Sequence, residues 1–90
     1  MSEKFGSGPI LVLIEYCGGW GYRKYVLEAM HNINAAFGKE NFSFEFAKDP
    51  HASGRLEVTV NGKLVHSKAA SGKYIRANWT AFMDAVKSAI

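Results

Sequence analysis

Apolar and polar positions change period several times along this chain, and each change marks an element. Ile10-Leu-Val-Leu-Ile-Glu-Tyr16 is almost continuously apolar and ends at a cluster of glycines. A short run of that kind predicts a central strand buried on both faces. From Tyr22 the period lengthens: Tyr22, Tyr25, Val26, Ala29, Met30, Ile33, Ala36 and Phe37 recur at spacings of three and four. Arg23, Lys24, Glu28, His31 and Asn32 fall on the other side, so the segment predicts an amphipathic helix. Gly38 supplies its C-terminal stop. Phe42-Ser-Phe-Glu-Phe46 then alternates strictly and predicts a strand with one buried face.

Lys48 to Gly54 combines Asp, Pro, Ser and Gly and reads as a loop. Two alternating runs come next, Arg55 to Val60 and Lys63 to Ser67, separated by Asn61-Gly62. Asn-Gly between alternating runs predicts a hairpin with a two-residue turn. That register would set Glu57 opposite His66 and place Leu56, Val58, Val60 and Val65 on the buried face. Ser71-Gly72 marks another loop. Trp79, Phe82, Met83, Val86, Ala89 and Ile90 then share a helical stripe, with Asn78 as N-cap. The order is β-α-β-β-β-α. Its opening β-α-β unit calls for parallel pairing. Two helices cannot cover both faces of four strands, so the expectation is a two-layer α/β (α+β) sandwich on a four-stranded mixed sheet. Met1 to Gly8 is polar and carries two glycines, which predicts a flexible tail over residues 1–8 and a single domain over 9–90.

Composition narrows the chemistry. A chain of 90 residues has room for one core, and 48% hydrophobic content can build it without disulfides or a structural metal. A single cysteine excludes an intramolecular disulfide and every multi-cysteine zinc pattern, and a free thiol fits a reducing, cytoplasmic compartment. The three histidines lie in different elements without clustered carboxylates, so no metal site is expected. The apolar run at the N-terminus is too short for a signal peptide and nothing approaches a membrane span, so no membrane partner is expected. A net charge of +3 reads as a soluble surface; nucleic-acid binding through it is the weaker alternative, and none is expected. Gly18-Gly19-Trp20-Gly21 lacks the Gly-Lys-Ser/Thr ending of a phosphate loop.

The candidate chemistry lies in Glu15-Tyr-Cys-Gly-Gly-Trp-Gly-Tyr-Arg-Lys-Tyr25. Cys17 sits between a strand and a helix, where unpaired backbone N–H groups and the positive end of the helix dipole favour a thiolate. Arg23 and Lys24 add positive charge, and Gly18, Gly19 and Gly21 leave the sulfur uncovered. In Cys-x-x-Cys a second sulfur stabilises the first and later resolves its mixed disulfide. Here Trp20 holds that position, and an indole cannot resolve anything, so Cys17 can perform only monothiol exchange. The competing reading is a small buried cysteine in a non-catalytic interaction module.

The strand–YCGGWGY–helix segment, with SGRLEVTVNGKLVHSK and GKY downstream of it, resembles the selenoprotein W family of small thioredoxin-like proteins, from Ile10 to Ile90. The resemblance implies a thioredoxin-like fold. It also implies thiol redox work of a glutathione-linked, antioxidant kind, with glutathione as a co-substrate, no bound cofactor, and protein thiols and 14-3-3 proteins as partners. Cys17 matches the family's first redox residue and Trp20 its selenocysteine or second cysteine. Ser53-Gly54 matches a Thr-Gly pair in a loop that approaches the redox turn. UGA, the selenocysteine codon, differs from the tryptophan codon by one base. Trp20 therefore marks either a selenocysteine position read or replaced as tryptophan, or a homologue that has lost its redox pair. With selenium at position 20 the chain would be a thiol/selenol oxidoreductase.

Overall fold

The computed structural model describes residues 2–19 and 21–90. In chain order it contains β1 (Ser2–Phe5), β2 (Ile10–Tyr16), α1 (Arg23–Phe37), β3 (Phe42–Lys48), β4 (Leu56–Val60), β5 (Lys63–Ser67), a one-turn helix α2 (Lys68–Ser71) and α3 (Trp79–Ala89). Short 3₁₀ turns at Lys39–Asn41 and Ile75–Ala77 join them. The sheet order is β1-β3-β2-β4-β5. β2 and β3 run parallel across the α1 crossover, and the other pairings are antiparallel.

One face of the sheet makes the core. Val12, Ile14 and Tyr16 of β2 lie between Phe42, Phe44 and Phe46 of β3 and Leu56, Val58 and Val60 of β4, and all are buried. Val26, Ala29 and Ile33 of α1, with Phe82 and Val86 of α3, close over them. Asn78 caps α3 as expected, its Oδ1 accepting from the Ala81 amide at 3.0 Å.

Three expectations are corrected. The sheet has five strands rather than four, because Ser2–Phe5 pairs antiparallel with the outer edge of β3 instead of remaining a tail. An edge strand needs few apolar residues, so Ser-Glu-Lys-Phe carries no legible period. Phe5 anchors it, with its ring centroid 4.9 Å from that of Phe46. β2 is central but buried on one face only, and Leu11 on the open face is 48% exposed. The helices cover a single side. The hairpin does turn at Asn61-Gly62, both with positive φ (50° and 82°). However, a bulge shifts the register, so that Val58 opposes His66 and Glu57 opposes Ser67, whose hydroxyl donates to the Glu57 carboxylate at 3.0 Å. A bulge adds one residue to one strand and reverses the facing of the residues beyond it. His66 accordingly turns toward Phe82, at 6.2 Å between ring centroids, and burial lowers its pKa.

Candidate functional site

Parallel β2 and β3 end at the same edge of the sheet, and antiparallel β4 begins there. Cys17, Asp49 and Arg55, each one residue beyond a strand, are therefore brought together. Backbone bonds stitch the loop between β3 and β4 to the turn after β2. The Cys17 amide donates to the Arg55 carbonyl (2.8 Å), the Gly18 amide to that of His51 (2.9 Å), and the Asp49 amide to that of Tyr16 (2.8 Å). At Gly18 any side chain would collide with this loop, since a Cβ would lie 2.0 Å from the Asp49 carbonyl oxygen. Gly54 turns the loop back with φ +74°, in the left-handed region that glycine adopts without strain.

The Cys17 sulfur is the focus of this junction. Burial, with only 1% of the residue exposed, pushes its pKa up. The Gly54, Gly19 and Ser53 amides outweigh burial and leave the thiol below its ordinary value. The Gly19 amide lies 3.4 Å from Sγ. The Ser53 hydroxyl contributes least to this lowering. It also donates to the Asp49 carboxylate, and it carries only one proton. Hydrogen bonds to the charged form are one of the three causes of a shifted pKa, and here they overcome desolvation.

Three sequence expectations change at this site. The sulfur is covered rather than exposed. Its donors are the Gly19 amide of the turn and groups of the β3–β4 loop, not the helix, which starts only at Arg23 with Tyr22 as its N-cap. Arg23 does not reach the thiol: its guanidinium forms a bidentate pair with Glu3 of β1. Gly18, Gly19, Ser53 and Gly54 do assemble around Cys17, whereas Trp20 lies outside the described residues.

Asp49 and Arg55 are the site residues that sequence reasoning misses. The Arg55 guanidinium grips Asp49 through two bonds of 3.0 Å and reaches Glu15 at 3.2 Å, with Glu57 3.7 Å away. The Arg55 amide donates to the Ser53 hydroxyl at 3.2 Å, which ties the arginine back into the loop. The available signal is an arginine at the start of a strand whose outward neighbours, Glu15 on β2 and Glu57 on β4, are acidic.

The Arg55 guanidinium, and secondarily the Ser53 hydroxyl, hold the Asp49 carboxyl down to about 2. A carboxyl depressed on folding contributes stability that is complete above its unfolded value of roughly 4 and is lost as pH falls toward the folded value. Discounted for solvent screening at Arg55, the pair is worth about 1–2 kcal/mol. Acid titration of thermal stability should therefore show a loss between about pH 4 and 2 that Asp49→Asn removes. Equal slopes in the two proteins would contradict the assignment.

Beside Cys17 opens a cleft of about 460 Å³, whose walls include Glu3, Tyr16, Tyr22, Arg23 and Lys48. Tyr74 reaches the same end, its hydroxyl 3.3 Å from that of Tyr22. Among the described residues no group of His, Cys, Asp and Glu is placed to hold a metal, and no helix is long and apolar enough to cross a membrane.

Comparison with known proteins gives a consistent result. A sequence model of the Rdx family matches residues 11–85. Selenoprotein W of Danio rerio is 41% identical over 59 residues, covering 66% of this chain and 67% of the relative. Selenoprotein W of Mus musculus is 32% identical over 84 residues, covering 90% and 93% respectively. Among solved structures, a selenoprotein W-related protein from Vibrio cholerae superposes with a TM-score of 0.70 at 18% identity, over 88% of this chain and 94% of that one. That likeness shows the fold, a thioredoxin-like α+β domain.

Proposed function

We propose that this chain, which belongs to the Rdx family and is similar to selenoprotein W, performs thiol–disulfide exchange through Cys17. The observation that carries this reading is the seating of the Cys17 sulfur 3.4 Å from the Gly19 amide and beside the Ser53-Gly54 loop, whose hydrogen-bonding groups help to lower its pKa. Those donors favour the thiolate, which is the attacking species. The Cys17 thiolate attacks one sulfur of a disulfide such as oxidised glutathione, forming a mixed disulfide and expelling the other half as a thiolate. An external thiolate then attacks the mixed disulfide and releases Cys17.

The neighbouring cleft suits glutathione as co-substrate. Lys48 and Arg23 offer cations to its two carboxylates, and Glu3 offers an anion to its ammonium, although the Arg23–Glu3 pair must open to serve both. No bound cofactor is required. The reading extends to an antioxidant role in the cytoplasm and to protein partners, 14-3-3 proteins among them, engaged through the Cys17 turn. Trp20 occupies the position of the family's selenocysteine or second cysteine, so this chain is confined to monothiol exchange. Mass spectrometry of the native protein, or its codon 20, tests whether tryptophan is native.

The rate of Cys17 alkylation by iodoacetamide, measured against pH, tests the central claim. The expected profile rises through a midpoint below that of free cysteine, roughly 8.5. A midpoint at or above it would remove the redox reading. The second reading, an interaction module with a structural cysteine, is favoured by the sulfur's burial and would instead show little alkylation at any pH at which the fold persists.

A further inference from the structure

Cys17 is stabilised by a loop, and a short loop does not hold its amides on a target unless packing or hydrogen bonds offset the entropy of ordering it. The support here is specific. The 49–55 segment contributes the Ser53 and Gly54 donors, and its two ends are clamped to each other by the forked contact between Asp49 and Arg55. Inside that clamp Ser53 is held twice, donating through its hydroxyl to Asp49 and accepting from the Arg55 amide. The Arg55 carbonyl, in turn, accepts from the Cys17 amide, so the same residue that closes the loop also seats the cysteine.

We infer that Arg55 is a positioning residue for the Cys17 thiolate, acting through Asp49 and Ser53 to aim the loop amides at the sulfur. The inference rests on the reading of Cys17 as an exchanging thiol. Arg55 does not touch the sulfur, and its charge is already met by three carboxylates, Asp49, Glu15 and Glu57. Its effect therefore passes through geometry. A planar fork satisfies both oxygens of Asp49 at once, whereas an ammonium supplies a point charge without a fixed orientation. Other ionisable groups also surround this end of the sheet. Glu3, Arg23 and Lys48 line the cleft, Tyr22 and Tyr74 stand at the same end, and His51 faces Asp49 from the loop.

The test is the pH profile of Cys17 alkylation in Arg55→Gln and Arg55→Lys, each checked for folding by thermal melting. Both variants are expected to move the midpoint upward toward that of free cysteine, with a several-fold lower rate at neutral pH; glutamine should have the larger effect. A folded glutamine variant with the wild-type profile would overturn the inference. So would a lysine variant that matches wild type, because that would make charge alone sufficient. If Arg55→Gln does not fold, Arg55→Lys decides the matter by the same criterion. The two levels of failure are separable. A wild-type midpoint at or above that of free cysteine removes the exchange reading itself, whereas a lowered wild-type midpoint that the variants leave in place removes only the role of Arg55.

Discussion

Replacing Gly18 with alanine is expected to destabilise the protein by about 3 kcal/mol and to lower its melting temperature by about 10–20 °C. The added Cβ would lie 2.0 Å from the Asp49 carbonyl oxygen and 2.9 Å from that of His51. Both are backbone atoms, so no side chain can swing aside. The turn and the β3–β4 loop must separate, which breaks the bond from the Gly18 amide to His51. Moving that loop also withdraws Ser53 and Gly54 from the sulfur, so whatever remains folded should show Cys17 alkylation shifted to higher pH. Calorimetry and the alkylation profile read the two effects. A variant with wild-type stability would show that the close approach of turn and loop is not maintained in solution.

Trp20→Cys is expected to change the kind of chemistry, not merely its rate. Three residues beyond Cys17, an introduced thiol recreates the Cys-x-x-Cys spacing. On treatment with oxidised glutathione, the wild-type protein should retain one bound glutathione until an external thiol is added. In the variant the introduced thiol should attack the Cys17 mixed disulfide, expel glutathione and close an intramolecular disulfide. Mass spectrometry distinguishes the two products, and loss of both alkylatable thiols confirms the second. A variant that retains bound glutathione as stably as wild type would show that position 20 is not a resolving position in this chain.

Much of the architecture is legible in the sequence because its signals are local. The phenylalanine alternation of β3, the helical stripe of α1 and the Asn-Gly turn each depend on neighbours a few residues apart. Edge strand β1 is not legible, since pairing on one side demands almost nothing of its sequence. Nor is the bulge between β4 and β5. Two-residue turns impose a simple register, and only the packing of His66 on the α3 side, next to Phe82, reveals the departure.

At the site the division is sharper. Sequence alone determines that the chain has one thiol, that it comes after a central strand, and that tryptophan stands three residues beyond it. These facts exclude dithiol exchange within one chain, whatever the fold. The Ser53-Gly54 pair is identified too, but only through resemblance. Tertiary structure decides what the thiol feels. Arg23 lies only six residues after Cys17, yet it spends its charge on Glu3. Ser53, Gly54 and Arg55 lie more than thirty residues from Cys17 and set the sulfur's surroundings. The reason is physical: a parallel β-α-β crossover with an antiparallel return gathers three strand ends at one edge. Hydrogen bonds act only over about 3 Å, so which amides stabilise a thiolate is fixed by that convergence and not by distance along the chain.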